Sequence, residues 1–548
     1  MKNGTLIKNG VVVDGTGGPW YRADVAIVGD TIAEIESKDG IRADKIIDAT
    51  DMIVAPGFID IHGHADEHLI ADNRAESVIR QGITTVCGGN CGYTSFPVTD
   101  FNREFLSERV PEPAKLTWAT MAEFYDTVQA NGVAVNLAML VGHGAIRSAV
   151  MGFRERKPTA AELESMKELL SKAMDDGAYG MSSGLEYPPG FFASTDELIE
   201  LSKIVAGKGG FYSSHTRCGE LNYVGAVKEL IKIGREANVP VQNSHIESHF
   251  PDWGKTTEVL ELVDTARREG IDVTCDIPPY LFGMTTLATI IPKRFHDGGI
   301  GELRDRLRNQ ASRDQIRETI LNMNVEDTEV VTMAMAVEEM WDDIHVSGRD
   351  LDGSIAGKTI AEISNAQHKP PLEVVFDLIA ESDVDLFTVY RGHNEDDIQK
   401  ILRHPTSMIE CDARSFAVDG PLSHYLPHPR AFGTFPLVLR KYVRGETLAN
   451  LPEEPGTKLL SLETAINKMT LLPARRLGLP DRGMIKTGIK ADVVIFDPDK
   501  ITDRATYNKP MAYPEGIRFV FVNGEIAIDD GANTGVLSGK TLKKGKLP

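Results

Sequence analysis

GFIDIHGH, residues 57–64, closes a short apolar run with two histidines one residue apart. In an extended segment residues i and i+2 point the same way, so the imidazoles of His62 and His64 can face one ion. The run itself reads as a strand buried on both faces, as in a parallel sheet. Outward from it, short apolar runs alternate with amphipathic helical patterns, the mark of βα units. Further strand candidates are ITTVC (83–87), VNLAML (135–140), AYGMSS (178–183), GFYSSH (210–215), VPVQNSH (239–245), DVTCDI (272–277), LFTVY (386–390) and SMIECD (407–412). Helical patterns such as AAELESMKELLSKAMDDG and YVGAVKELIKIGREA lie between them. An eight-stranded α/β barrel has one strand fewer than these nine candidates. The odd one is 386–390, because it follows an irregular stretch at about 283–345 that is long for a connection and reads as an insertion or lid.

The two ends of the chain have another grammar. LIKNGVVVD, DVAIVGDTIAEIE and KIIDATDMIVAP combine β-branched runs with Asn-Gly and Gly-Asp turn pairs, and KADVVIFDPD and RFVFVNGEIAID repeat the pattern near the C-terminus. Residues 1–55 and 480–548 are therefore expected to build one small β domain beside a barrel spanning 56–479, since termini often lie close together.

Composition bounds the function. With 59 Lys plus Arg against 80 Asp plus Glu in 548 residues, the formal net charge is −21. That argues against a general nucleic-acid binder or a polybasic membrane protein, both of whose ligands are anionic. Five cysteines are too few, and of the wrong parity, for a disulfide framework, which points to a reducing compartment. The N-terminal residues lack the continuous apolar stretch of a signal peptide, and no run of ~18 apolar residues occurs. A cytoplasmic protein acting on a small molecule is the expectation; the oligomeric state is not legible.

Five strand candidates end in, or are closely followed by, a residue type that binds metal: His62 and His64, Cys91, His215, His245 and Asp412. Catalytic residues of an α/β barrel gather at the C-terminal ends of its strands. Imidazole, thiolate and carboxylate groups converging there suit Zn²⁺. Singly, each has an ordinary explanation: a strand-end histidine as a satisfied polar residue, a buried thiol as a small hydrophobe, an aspartate as a turn residue. Cys87 and Cys91 at a C-x3-C spacing could suggest a zinc knuckle, but no second cysteine pair follows. The joint pattern, in a chain with 14 histidines and five cysteines, carries the metal reading.

The sequence resembles the amidohydrolase superfamily, and within it the D-aminoacylase (N-acyl-D-amino-acid deacylase) family. The resemblance runs nearly the full length, through PGFIDIHGHAD (56–66), GITTVCGGNCG (82–92), VGHGAIR (141–147), GMSSGLEYPPG (180–190), SSHTR (213–217), NSH (243–245), HPRAFGTFP (428–436) and MTLLPARRLGLPDRGMIKTGIKADVVIFDP (469–498). It implies a (β/α)8 TIM-like barrel with a small β-sandwich domain formed from both termini. It implies that Cys91, His215 and His245 hold a tightly bound zinc, and that His62, His64 and Asp412 serve a weaker position. Related cyclic-amide hydrolases bridge two metals with a carboxylated lysine at the end of strand four; GAYGMSSGLEYPPG has no lysine there. One tight zinc, with a second position weak or empty, is therefore expected. Asp412 is implied as the group that accepts the proton of the attacking water and passes it to the departing amine. His143 and Tyr187, in matched motifs at or just beyond strand ends, are candidates to steady the substrate or the oxyanion, or else to cap a loop inside the barrel mouth.

Substrate recognition is where the pattern breaks. Arg430 matches the arginine that pairs with the free carboxylate of an N-acyl amino acid, a task suited to a planar bidentate donor. The family's lysine two residues after the second late histidine is replaced by Glu247, and its Tyr-Pro-Tyr by Pro278-Pro279-Tyr280, which leaves Tyr280 as the retained tyrosine. Around the catalytic aspartate the usual Ser-Asp-Gly becomes Cys411-Asp412-Ala413. The reversed charge at Glu247 favours a less anionic substrate than the family's, with Glu247 facing a donor or pairing with an arginine such as Arg217. The expected activity is hydrolysis of an exocyclic amide, D-aminoacylase-like. The rivals are a ring-opening hydrolase of the hydantoinase or dihydroorotase type and a non-catalytic scaffold of the same fold.

Overall fold

The computed structural model describes residues 4–36, 43–217, 222–246, 248–249, 252–322, 340–383, 385–448 and 454–545. Eight parallel strands form the barrel: Phe58–Asp60, Ile83–Gly88, Asn136–Met139 with its continuation Val141–Gly142, Gly180–Gly184, Phe211–His215, Val241–Asn243, Val273–Ile277 and Ser407–Ile409. Each pairs in parallel with the next in that order. The ring closes between the last strand and the first, where Gly63 bridges Ala413, His64 N–H donates to the Ala413 carbonyl (2.9 Å) and Asp412 N–H donates to the His62 carbonyl (2.9 Å). Strands such as Gly180–Gly184 and Val273–Ile277 are buried at every residue, which is why they read as runs of apolar and small residues without alternation.

The crossover helices sit where the 3.6-residue pattern places them. Ala160–Asp176 starts in a reciprocal capping box between Thr159 and Glu162 and buries Met166, Leu170, Ala173 and Met174 against the barrel side. Tyr223–Ala237 is capped by Asn222 and buries Val227, Leu230, Ile231 and Gly234.

Strands from both ends of the chain make one nine-stranded sheet. Gly4–Val12 pairs with Tyr21–Val28 along its length; on its other edge its first half meets Lys45–Asp48 and its second half Ile53–Pro56, with a register shift between Ile7 and Gly10. Ile53–Pro56 then pairs with Val493–Phe496, the C-terminal contribution, so the β-sandwich is sewn from residues more than 430 positions apart. Its own core includes Ile7, Val25, Ile47, Val54, Val493 and Phe521.

The ninth strand candidate is not in the barrel. Phe387–Arg391 lies in a separate antiparallel sheet, between Phe282–Thr286 and Ile344–Arg349, which in turn meets Tyr425–Leu426. Unlike the barrel strands it is exposed or half-buried at three of its five positions, as befits a sheet with one face to the core. The excursion between the seventh and eighth barrel strands thus runs well past residue 345. With the helices Ile300–Arg308, Gln310–Leu321, Ile360–Gln367 and Pro371–Glu381 it buries a second core that includes Leu287, Leu303, Val346 and Phe376. No helix among the described residues is long and apolar enough to cross a membrane.

Candidate active site

At the C-terminal mouth of the barrel two groups of donors share one atom. Cys91 Sγ lies 3.3 Å from His62 Nε2, 3.8 Å from His215 Nδ1 and 3.6 Å from His245 Nε2. His62, His64, Cys91 and Asp412 form one cluster, and Cys91, His215 and His245 another, each with its donor atoms within 4.8 Å of one another. Asp412 Oδ1 stands 3.0 Å from His64 Nε2 and 3.7 Å from His62 Nε2. All six residues expected as ligands from the sequence therefore converge, around a thiol.

The donor set fits Zn²⁺. Thiolate with two imidazoles leaves a fourth position open, the usual layout of a catalytic zinc site. Burial pushes the Cys91 thiol up, but the imidazoles of His62, His215 and His245 outweigh it and hold the group well below the usual thiol range, so the ligand form is the thiolate. The backbone also conforms to the site: Cys91 (φ 50°), His245 (φ 35°) and Asp412 (φ 42°) all occupy the left-handed region, which costs non-glycine residues about 1–3 kcal/mol each and is held by the surrounding structure. Gly184, at the end of the fourth strand, lies directly under the cysteine loop. A β-carbon there would lie 2.2 Å from the Cys91 carbonyl oxygen, so strand four must be bare for the cysteine loop to pass over it.

Carboxylates behind the ligands hold them in place. Asp276, at the end of the seventh strand, accepts a hydrogen bond from the His245 backbone N–H (2.5 Å), binds the Gln242 amide, and faces His62 Nδ1 at 3.4 Å. Glu186 Oε2 is 3.1 Å from His215 Nε2. Such partners fix the tautomer and ring orientation of a ligating histidine. Neither was singled out from sequence. The signal for Asp276 was an aspartate inside an apolar strand, where a carboxylate needs a partner. Glu410, beside it on strand eight, is fully buried with both oxygens unpartnered, and burial pushes its carboxyl well up.

The expected substrate residues divide. Tyr187 and Arg430 line the cavity above the ligands. Tyr187 OH lies 3.1 Å from Thr285 Oγ1 of the insertion. Arg430 Nη2 pairs with Asp412 Oδ2 at 2.8 Å. Burial raises the Asp412 carboxyl, but Arg430 and the two imidazoles overcome it and keep it well below the ordinary range. His143 is not in the cavity wall; it is fully buried, its Nε2 2.9 Å from Glu197 Oε1, and Glu197 also binds Arg147 (2.5 Å). The structure therefore places His143 in a buried network with Glu197 and Arg147 and not against the cavity, with its Nε2 on Glu197. Tyr280 is likewise buried and outside the cavity lining, its ring 5.1 Å from that of His428. Glu247 lies outside the described residues. Arg217, offered as its partner, is buried and donates to Glu229 (3.1 Å) and to the carbonyls of Phe191 (3.0 Å) and Ala193 (2.8 Å).

Comparison with known proteins agrees with this geometry. The profile of the amidohydrolase family matches residues 45–528. The chain is 33% identical to D-aminoacylase of Alcaligenes xylosoxydans xylosoxydans over 540 residues, covering 98% of this chain and 97% of that one. It is 34% identical to the N-acyl-D-glutamate deacylase of the same organism over 520 residues, covering 95% and 92%. The crystal structure of N-acyl-D-glutamate deacylase from Bordetella bronchiseptica, complexed with zinc and a phosphonate mimic of the tetrahedral intermediate, superposes with a TM-score of 0.79 at 30% identity, covering 99% of this chain and all of that one. The chain belongs to the amidohydrolase family and is an amidohydrolase with D-aminoacylase-type deacylases among its relatives.

Proposed function

We propose that this enzyme removes the acyl group from an N-acyl-D-amino acid, with Zn²⁺ as its resident metal. The observation that carries the reading is Cys91 at the junction of the two donor clusters, over a fourth strand that has no room for a bridging lysine. Cys91, His215 and His245 would hold the tight zinc; His62, His64 and Asp412, with the same thiolate, would form a second, weaker position. When bound, zinc activates water at neutral pH and polarises the scissile carbonyl.

The chain's own residues supply the rest. Asp412 accepts a proton from the attacking water and delivers it to the departing amine nitrogen. In the substrate-free site Arg430 occupies one Asp412 oxygen and lowers its proton affinity. A substrate carboxylate that engages Arg430 competes for that guanidinium and raises the basicity of Asp412 as the amide arrives. Arg430 thus couples recognition to readiness. Tyr187, with its hydroxyl on Thr285, borders the path between barrel and insertion and orients the acyl end.

A hydrolysis screen of paired N-acetyl-D and N-acetyl-L amino acids, each with and without its α-carboxylate blocked as an amide, tests the reading. Hydrolysis of the free D-acids, lost on chelation and restored by zinc, is the expected result. Turnover confined to the L-compounds or to the blocked amides would overturn it.

A further inference from the structure

Two residues after Asp412 the cavity wall carries a second guanidinium. Arg414 lines the same cavity as the metal ligands and is half-buried, yet among the described residues it makes no hydrogen bond or ion pair. Its guanidinium stacks on the Phe387 ring, 4.6 Å from Cζ to centroid. Burying a cation without a counter-charge is costly unless a ligand brings one. The neighbourhood makes it more so. Arg109, also in the wall, adds a second guanidinium to the same cavity.

Internal anions offset Arg109 and leave Arg414 without an ion pair among the described residues. Arg109 spends one nitrogen on Asp385 of the insertion (2.5 Å) and stacks on Tyr93 and Phe105. Glu67 is the nearest alternative. Among the described residues it makes no direct ion pair with either arginine; it accepts from Tyr93 OH (3.2 Å), and burial raises its carboxyl against the pull of both guanidinium groups. Arg430, by contrast, is already assigned to Asp412 and the substrate's α-carboxylate.

We propose that Arg414, backed by Arg109, is a second anion subsite that takes an additional carboxylate of the substrate, so that the enzyme prefers N-acyl compounds with two carboxylates. The inference rests on the deacylase reading above and names the substrate class of that site. A second carboxylate can come from an acidic amino-acid side chain or from a dicarboxylic acyl group, and both present the same planar, bidentate partner to a guanidinium.

Isosteric pairs test this without relying on any variant. In the zinc-loaded full chain, kcat/KM is measured for N-acetyl-D-glutamate against N-acetyl-D-glutamine, and for N-succinyl-D-methionine against N-succinamoyl-D-methionine. One charge-assisted bidentate contact predicts about 10- to 100-fold preference for the acid in at least one pair, and the pair that shows it identifies the source. In Arg414→Met, which keeps a side chain to pack on Phe387, that ratio falls toward one; Arg414→Lys restores part of it. Wild-type ratios near one in both pairs overturn the subsite while leaving the deacylase reading intact. A ratio that survives Arg414→Met overturns the assignment to Arg414. No hydrolysis of any N-acyl compound overturns both readings.

Discussion

Asp276 touches one ligand from each donor cluster, so its replacement tests whether the site is held from behind as the geometry indicates. The carboxylate accepts the His245 backbone N–H at 2.5 Å and faces His62 Nδ1 at 3.4 Å, with Gln242 anchoring its other side. In Asp276→Asn one oxygen remains for the Oδ1 partners, but the NH₂ then opposes the Gln242 Nε2 donor, and in the flipped orientation it opposes both the His245 amide and the His62 ring. The negative charge that fixes the His62 tautomer is also gone. Loss of such a carboxylate partner typically weakens metal affinity about 10- to 100-fold, or about 1.4–2.7 kcal/mol at 1.36 kcal/mol per decade. The ligand atoms remain, so activity should recover at saturating zinc. The assay is competitive titration of zinc against a chromophoric chelator, with metal content by mass spectrometry and kcat measured across added zinc. An affinity within about twofold of wild type would refute the claim that Asp276 orients the ligands. A loss of kcat that saturating zinc does not restore would show that it acts by some other route.

Three further outcomes follow from the same geometry. Cys91→Ser replaces the shared thiolate by a hydroxyl that stays protonated, so zinc should be lost from both positions, with metal analysis as the readout and retention of a full zinc equivalent as the refutation. Asp412→Asn should lower kcat by about 10²–10⁴-fold while the Cys91–His215–His245 position keeps its zinc, since that position does not use Asp412. Gly184→Ala places a β-carbon 2.2 Å from the Cys91 carbonyl, so it should displace the cysteine loop and reduce both zinc content and melting temperature; wild-type values for both would contradict the close approach.

How much of this was legible in the sequence depended on whether a residue's role was local. Strand-end histidines announce themselves because burial on both faces writes each barrel strand as one apolar run, and the ligand stands where the run stops. Cys91, His215, His245 and Asp412 were found in that way. The insertion was visible only as an absence of that pattern. Its strand Phe387–Arg391 stands out as the odd ninth candidate, but a short apolar run does not say which sheet it joins. His143 and Tyr280 misled for a related reason: proximity to a strand end does not reveal which way a side chain turns. His143 turns toward Glu197, a residue 54 positions away in sequence. Asp276 and Glu186 escaped notice because their work is done on another residue's far side, through contacts that no spacing encodes.

In the sequence, Glu247 in place of the family's lysine favours a less anionic substrate. The cavity makes a different case. Charges on the outer surface act through water and salt, and beyond ~8–10 Å they are largely screened. Arg430 and Arg414 act inside the walls of a cavity, where the effective dielectric is lower and each unit charge counts for several times more. A net charge of −21 spread over the whole chain therefore governs solubility and the approach of large polyanions such as nucleic acid. It does not decide the sign of a small ligand once that ligand is within the barrel mouth. There the unpaired guanidinium of Arg414, and not the sum over the chain, sets which substrate charge lowers the energy of the complex.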